Sequence, residues 1–270
     1  MERSEKIFLF DMDGTLTPPR KQIEGKVVRA LRTLSSIGKI GVVTGSDYDY
    51  VKQQIFSAFE VGGIPVDRAI LLPCNGTKRY DATPSRSFAL TSEVNMIEEL
   101  SQESYNHILR FASSWQASIM ASYRDLPYTG TFLQYRGSLL NWCPIGRNAN
   151  DNDRERFMLF DKDNSDFRMG EIRSFTKFLE RSFMSDRLQI KLGGETSFDI
   201  YPIGWNKTFA LQHFEDYQCW FVGDRCGENG NDQAIYERLR VHGRSFEVKS
   251  TKDTLNLIFD EIIPRIANDR

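Results

Sequence analysis

The sequence predicts an α/β fold: a parallel sheet with helices on both faces, interrupted by an α+β module with antiparallel strands. Three observations carry this. Short apolar runs alternate with helix-period apolar patterns at both ends of the chain. The middle instead pairs long helical patterns with hairpin-like runs. Acidic and hydroxyl residues directly follow several of the apolar runs, where such sheets bind ligands.

In order, residues 7–10 form a buried strand. Val27, Val28, Leu31 and Leu34 share one helix face, with Gly38 as the stop. Residues 40–43 are a second strand. Ser46 or Asp47 caps the next helix, which shows Val51, Ile55 and Phe59. Residues 69–72 are a third strand. Residues 93–117 read as one amphipathic helix with Ile97, Leu100, Ile108 and Trp115 inward. Runs 131–136 and 139–144 flank Gly137 and Ser138, a pair suited to a tight hairpin turn. A second inserted helix carries Ile172, Phe175, Leu179 and Phe183, and runs 188–192 and 197–201 flank Gly193 and Gly194. Strands 219–222 and 245–248 follow. The closing helix, 251–266, has Ser250 and Asp253 placed for a capping box. The expected domains are a discontinuous core, 1–85 with 206–270, and an inserted domain, 86–205.

Composition narrows the chemistry. The 270 residues are 40% hydrophobic, enough for a real core. Three histidines and four cysteines argue against a histidine-built metal centre or a disulfide framework. The cysteines form no C-x-x-C pair and read as reduced thiols. With 37 acids against 35 bases, the net charge of −2 argues against a general nucleic-acid or membrane-surface binder. No apolar stretch is long enough for a signal peptide or a membrane span. A soluble cytoplasmic protein is expected.

The sharpest motif is Asp11-Met12-Asp13-Gly14-Thr15-Leu16, directly after the first strand. A carboxylate can attack phosphorus, and its neighbour can pass a proton. Two adjacent carboxylates call for a counter-charge, which Mg²⁺ with oxygen ligands supplies. Further on stand Thr44-Gly45-Ser46 after the second strand, Lys207 before the fourth, and Gly223-Asp224 with Gly230-Asn231-Asp232 after it. Each alone has a duller reading: a helix cap, a solvated charge, a turn. In this order they resemble the signatures of the haloacid dehalogenase superfamily of phosphotransferases.

The inserted segment sharpens the likeness. Gly130-Thr131-Phe132, Tyr135-Arg136 through Asn141, Pro144 to Arg147, Arg154, Ser197-Phe198-Asp199 and Gly204 to Lys207 resemble the eukaryotic-type phosphomannomutases. So does Leu16 to Arg20. The resemblance implies a Rossmann-like core with a C2-type α+β cap. It implies Asp11 as nucleophile, Asp13 as general acid and base, and Ser46 and Lys207 on the transferring phosphoryl. Asp11, Asp13, Asp224 and Asp232 would hold Mg²⁺. Arg20, Arg136, Asn141, Arg147, Arg154, Ser197 and Asp199 would bind the hexose phosphate. It further implies a hexose 1,6-bisphosphate activator, a cap that closes and excludes water, a homodimer through the cap, and a supply of mannose 1-phosphate for GDP-mannose synthesis.

A two-residue hairpin would put Arg136 and Asn141 on one face, and Ser197 and Asp199 share another. Two polar patches are therefore expected. Thr44, Cys74 and the loop 225–229 depart from the mutase pattern. They leave open a sugar-phosphate phosphatase on the same scaffold, or a binding protein without catalysis.

Overall fold

The structure, a computed structural model, describes residues 5–60, 63–85, 87–164 and 166–268. The chain divides into a discontinuous core, Met1–Glu93 with Asn206–Arg270, and an inserted domain, Val94–Trp205. The core begins with β1 (Lys6–Phe10), α1 (Gly25–Ser35), β2 (Lys39–Val43), α2 (Tyr48–Glu60) and β3 (Ala69–Leu72). A hairpin the apolar pattern does not announce follows, β4 (Lys78–Ala82) and β5 (Phe88–Glu93). It pairs antiparallel with β3, so the first boundary falls at Glu93 instead of near residue 85.

The inserted domain opens with α3 (Met96–Leu100) and α4 (Gln102–Ser122). These correct the single helix expected over 93–117. Ser101 has φ +90 and breaks the helix, and its hydroxyl caps the new start by accepting from the Ser104 N–H. Next come β6 (Leu133–Tyr135) and β7 (Leu140–Trp142), shorter than expected, then α5 (Asp151–Asp163) and α6 (Phe167–Arg181). Phe183, expected on the inward face of α6, lies beyond its end at 90% exposure. β8 (Leu188–Gly193) and β9 (Ser197–Pro202) complete a four-stranded antiparallel sheet, ordered β6-β7-β9-β8.

Strand alternation sorts the two faces of this sheet. Leu140, Trp142, Phe198, Ile200, Leu188 and Ile190 join the apolar cluster that includes Phe157 and Phe175 of the helices. Asn141, Ser197 and Asp199 take the opposite face.

On return to the core the chain makes a 3-10 segment, Lys207–Phe214, then β10 (Gln218–Gly223), α7 (Gln233–Arg240) and β11 (Ser245–Glu247), which stops short of Val248. The closing helix is α8 (Thr251–Leu257), one π turn over Ile258–Ile262, and α9 (Ile263–Asn268). Ser250 accepts from the Asp253 N–H, while the Asp253 carboxylate reaches back to the Lys249 N–H. The core sheet runs β11-β10-β1-β2-β3-β4-β5, with the first five strands parallel. Phe8, Phe10, Val42 and Val222 face the cluster built with α1, α2 and the closing helix. Ile7, Leu9, Val43 and Phe221 face Phe214 and Ile235 on the other side. Burial on both faces explains why these strands read as continuous apolar runs. Among the described residues no helix is long and apolar enough to cross a membrane.

Candidate active site

β1 is flanked by β10 and β2, all parallel, so their carboxyl ends bring Asp11, Asp224 and Thr44 to one edge of the sheet. The Asp11 N–H donates to the Val222 carbonyl at 2.9 Å, which carries the sheet ladder up to the nucleophile candidate itself. Gly14 turns the chain with φ +91, and a Cβ there would collide with the Asp224 carboxylate. Any side chain at 14 would therefore push two parts of the site apart.

Lys207 is fully buried and donates to both Asp11 and Asp232, the latter at 2.5 Å. Asp11, Asp224 and Asp232 bring carboxylate oxygens within 4.8 Å of one another. Burial disfavours charge on Lys207, but the two carboxylates outweigh it and hold the ammonium above its ordinary range. Burial, then Asp232 and Asp224, push Asp11 well above the usual carboxylate range against the pull of Lys207. Burial and Asp232 push Asp224 up as well. Three carboxylates thus face one ammonium, with the Arg225 guanidinium 3.8 Å from Asp224 at the edge of the cluster.

The donor set fits a hard divalent cation such as Mg²⁺. It is all oxygen, carries excess negative charge, and includes one orphan: Asp224 Oδ1 is buried without a hydrogen-bond partner. Asn231 Oδ1 is orphaned too. Asp232 differs. Its Oδ1 accepts from Lys207 and its Oδ2 from the Arg225 N–H at 3.1 Å, so both oxygens are engaged.

Asp13 lies apart from that cluster. Its Oδ1 accepts from the Arg20 N–H at 3.2 Å and from the Tyr50 hydroxyl at 3.3 Å. Burial raises its carboxyl above the usual range, opposed by these donors and by Gln54. Tyr50 and Gln54 sit one turn apart on α2, and sequence reasoning passed over both. Gln54 accepts from the Thr17 hydroxyl at 2.7 Å. Burial and Asp13 push the Tyr50 phenol up to about 12. The only trace of this in the sequence is their i, i+4 spacing beside the apolar stripe of α2.

Ser46 stands at the end of β2, outside the hydrogen-bonded carboxylate cluster. Thr44, the departure from the mutase pattern, accepts from the Ser46 N–H at 3.2 Å. Cys74 is buried in the turn after β3 and donates its N–H to the Ser46 carbonyl. Cys226 points its thiol at the Gly223 carbonyl, and burial keeps that thiol protonated. Both cysteines close loops around the site. All four cysteines are buried, and among the described residues none forms a disulfide.

In the inserted sheet the two expected patches are one network. Asn141 pairs with Gln134 on β6 and with Asp199 on β9. Its amide nitrogen reaches Ser197 Oγ at 3.1 Å and Asp199 Oδ1 at 2.7 Å. Its oxygen accepts from Arg147 at 2.9 Å. Arg136 follows β6 on the Gln134 face and donates to Gln134 Oε1 at 3.4 Å. Arg154 is held by Thr196 at 3.0 Å and by Glu195 at 2.7 Å. The amide bridges a guanidinium to a hydroxyl and a carboxylate, a set that matches phosphate and sugar hydroxyls.

Residues 27–263 match the family model for eukaryotic phosphomannomutase. A phosphomannomutase of Encephalitozoon cuniculi is 34% identical over 276 residues, covering 99% of this chain and 97% of its own length. One from Dendrobium officinale is 33% identical, covering 92% and 90%, and one from Saccharomyces cerevisiae is 33% identical, covering 95% and 94%. Among solved structures, IMP-nucleotidase of Plasmodium falciparum shares the fold with TM-score 0.65 at 13% identity, covering 95% of this chain and 68% of its own.

Proposed function

The chain belongs to the eukaryotic phosphomannomutase family, and we propose that it interconverts mannose 6-phosphate and mannose 1-phosphate. The observation that carries this reading is the buried Asp11–Lys207–Asp232 chain at the strand ends, beside Asp224 with its unpartnered oxygen. Asp11 is phosphorylated by a hexose 1,6-bisphosphate activator and passes the phosphoryl group to the substrate. The resulting bisphosphate turns round and returns its other phosphoryl group to Asp11. Asp13 donates a proton to the departing sugar oxygen and takes one from the attacking hydroxyl. Lys207 and Ser46 stabilise charge on the phosphoryl in flight.

Asp11, Asp224 and the backbone carbonyl of Asp13 would hold Mg²⁺, which supplies the missing counter-charge. Asp232 holds Lys207 through Oδ1 and, with lone pairs left on both oxygens, stays in the candidate ligand set beside them. In the inserted domain, Arg136, Arg147 and Arg154 hold the phosphate, and Asn141, Ser197 and Asp199 hold sugar hydroxyls. Arg20 contacts the substrate from the core. We place the enzyme in the cytoplasm, as a homodimer through its inserted domain, supplying mannose 1-phosphate for GDP-mannose synthesis.

The test incubates the protein with Mg²⁺, mannose 1-phosphate and a trace of glucose 1,6-bisphosphate, and follows products by phosphorus NMR. Mannose 6-phosphate without stoichiometric free phosphate is expected. Free phosphate as the main product would overturn the mutase in favour of a phosphatase, and no turnover with binding retained would leave a binding protein.

A further inference from the structure

We propose that Tyr50 is a positioning residue for the general acid and base, fixing which oxygen of Asp13 exchanges the proton. A carboxyl group can rotate about its Cβ–Cγ bond and exchange its two oxygens, so proton transfer in a set direction requires that they be made unequal. Here they are. Oδ1 accepts from the Tyr50 hydroxyl at 3.3 Å and the Arg20 N–H at 3.2 Å. Both of these bonds fall on Oδ1; the Gln54 amide, the other donor facing this carboxyl group, stays beyond hydrogen-bond distance of any partner among the described residues. With two donors on Oδ1, the proton of the neutral acid resides on Oδ2.

The placement is built from the helix. The Asp47 carboxylate accepts from the Tyr50 N–H at 3.0 Å and fixes the first turn of α2. One turn on, Gln54 takes the Thr17 hydroxyl with its side chain and the Ile23 N–H with its carbonyl. This face of α2 therefore grips the segment carrying Asp13 at three places, and Tyr50 is the grip that touches the carboxyl group itself. The backbone N–H of Arg20 stays in any variant at 20; the phenol alone can be removed by one atom.

The assignment rests on the mutase reading, and in that reaction the balance is simple. As the sugar O–P bond breaks and the Asp11 O–P bond forms, Oδ2–H gives its proton to the sugar oxygen. In the reverse transfer the attacking hydroxyl gives its proton back to Oδ2. A sugar alkoxide needs that proton to leave; an acetate does not.

The experiment compares Tyr50→Phe with wild type in two reactions: turnover of mannose 1-phosphate with glucose 1,6-bisphosphate, and phosphorylation of the protein by acetyl phosphate. Tyr50→Phe is expected to lower kcat about tenfold with KM within about twofold, and to lower the ratio of sugar-phosphate to acetyl-phosphate rates by about the same factor. A merely structural role would slow both reactions together, and that result overturns the proposal, as does an unchanged kcat. A wild-type protein that takes phosphoryl from acetyl phosphate yet fails on mannose 1-phosphate overturns the mutase reading and this assignment with it. Loss of folding shows as loss of both reactions with a lowered melting temperature; Tyr50→His, which keeps a ring donor, then replaces it, and a ratio below one-third of wild type in that variant also overturns the proposal.

Discussion

The core and the inserted sheet each bury a polar cluster, but they close their charge differently. In the core, three carboxylates converge on one ammonium. In the inserted sheet a neutral amide, Asn141, stands between the Arg147 guanidinium and the Asp199 carboxylate. Buried groups are tolerated when paired and costly when they are not. Around Asn141 the guanidinium and the carboxylate are therefore each bonded to the amide, an arrangement shaped for an anion. The core sets three carboxylates against the Lys207 ammonium and the Arg225 guanidinium, 3.8 Å from Asp224, a net negative set that suits a cation.

The sharpest way to break that comparison is Asp11→Asn. It removes the nucleophile and is expected to lower turnover by about 10⁴-fold or more, with the fold kept by circular dichroism. Turnover above about 1% of wild type would show that Asp11 is not the nucleophile. Next, chelating Mg²⁺ should abolish activity and lower the melting temperature, both restored by Mg²⁺. At a hundredfold excess over Kd, the ion adds about 2.7 kcal/mol, read by calorimetry. Asp224→Asn should abolish that stabilisation; if it does not, the ion sits elsewhere.

In the inserted sheet, Arg147→Ala should raise KM for mannose 1-phosphate about 10- to 50-fold with a smaller effect on kcat. An unchanged KM would remove Arg147 from the phosphate site. Asn141→Leu leaves the buried Asp199 carboxylate without its amide donor. It should destabilise the protein by about 1–3 kcal/mol, measured by urea unfolding, and a neutral result would mean the network relaxes around the gap.

The smallest effect is in pH. Asp11, Asp13 and Asp224 are all raised in the fold, by burial first. The folded state thus binds their protons more tightly than the unfolded chain. Their contribution to stability is full below the ordinary carboxylate range and fades as pH rises through the raised values. Lys207 is raised too, but from a higher range, so it is constant across this window. The metal-free protein should lose melting temperature from about pH 4 towards neutrality, and saturating Mg²⁺ should flatten the loss. The same slope with and without Mg²⁺ would mean the core carries no charge excess.

What could be read beforehand follows the physics of each element. β1, β2, β3 and β10 were legible because strands buried on both faces are unbroken apolar runs, and the residues at their ends form short local motifs. β4 was not, because Lys78–Ala82 is half-exposed along its length and mixes charged with apolar residues. α5 was missed because Phe157 is its one buried residue, which leaves no apolar stripe to find. The break at Ser101 is a left-handed residue inside an otherwise helical pattern, invisible to periodicity. The site shows the same division. Asp11, Lys207 and Asp224 were found by motif, but the merging of the two patches through Asn141 depends on β7 pairing with β9, which no local pattern states. Tyr50 was hidden because a single tyrosine on a helix looks like packing.

The order of strands also bears on how the protein is made. β1 leaves the ribosome first and ends at the centre of the core, yet its neighbour β10 is encoded some two hundred positions later. At ordinary translation rates of roughly 5–20 residues per second, one edge of this apolar strand waits about 10–40 s for its partner. During that wait Asp11 also lacks Lys207. Until the inserted domain has been completed, the nascent chain thus keeps one apolar strand edge open and Asp11 without its buried ammonium, a state prone to wrong pairing.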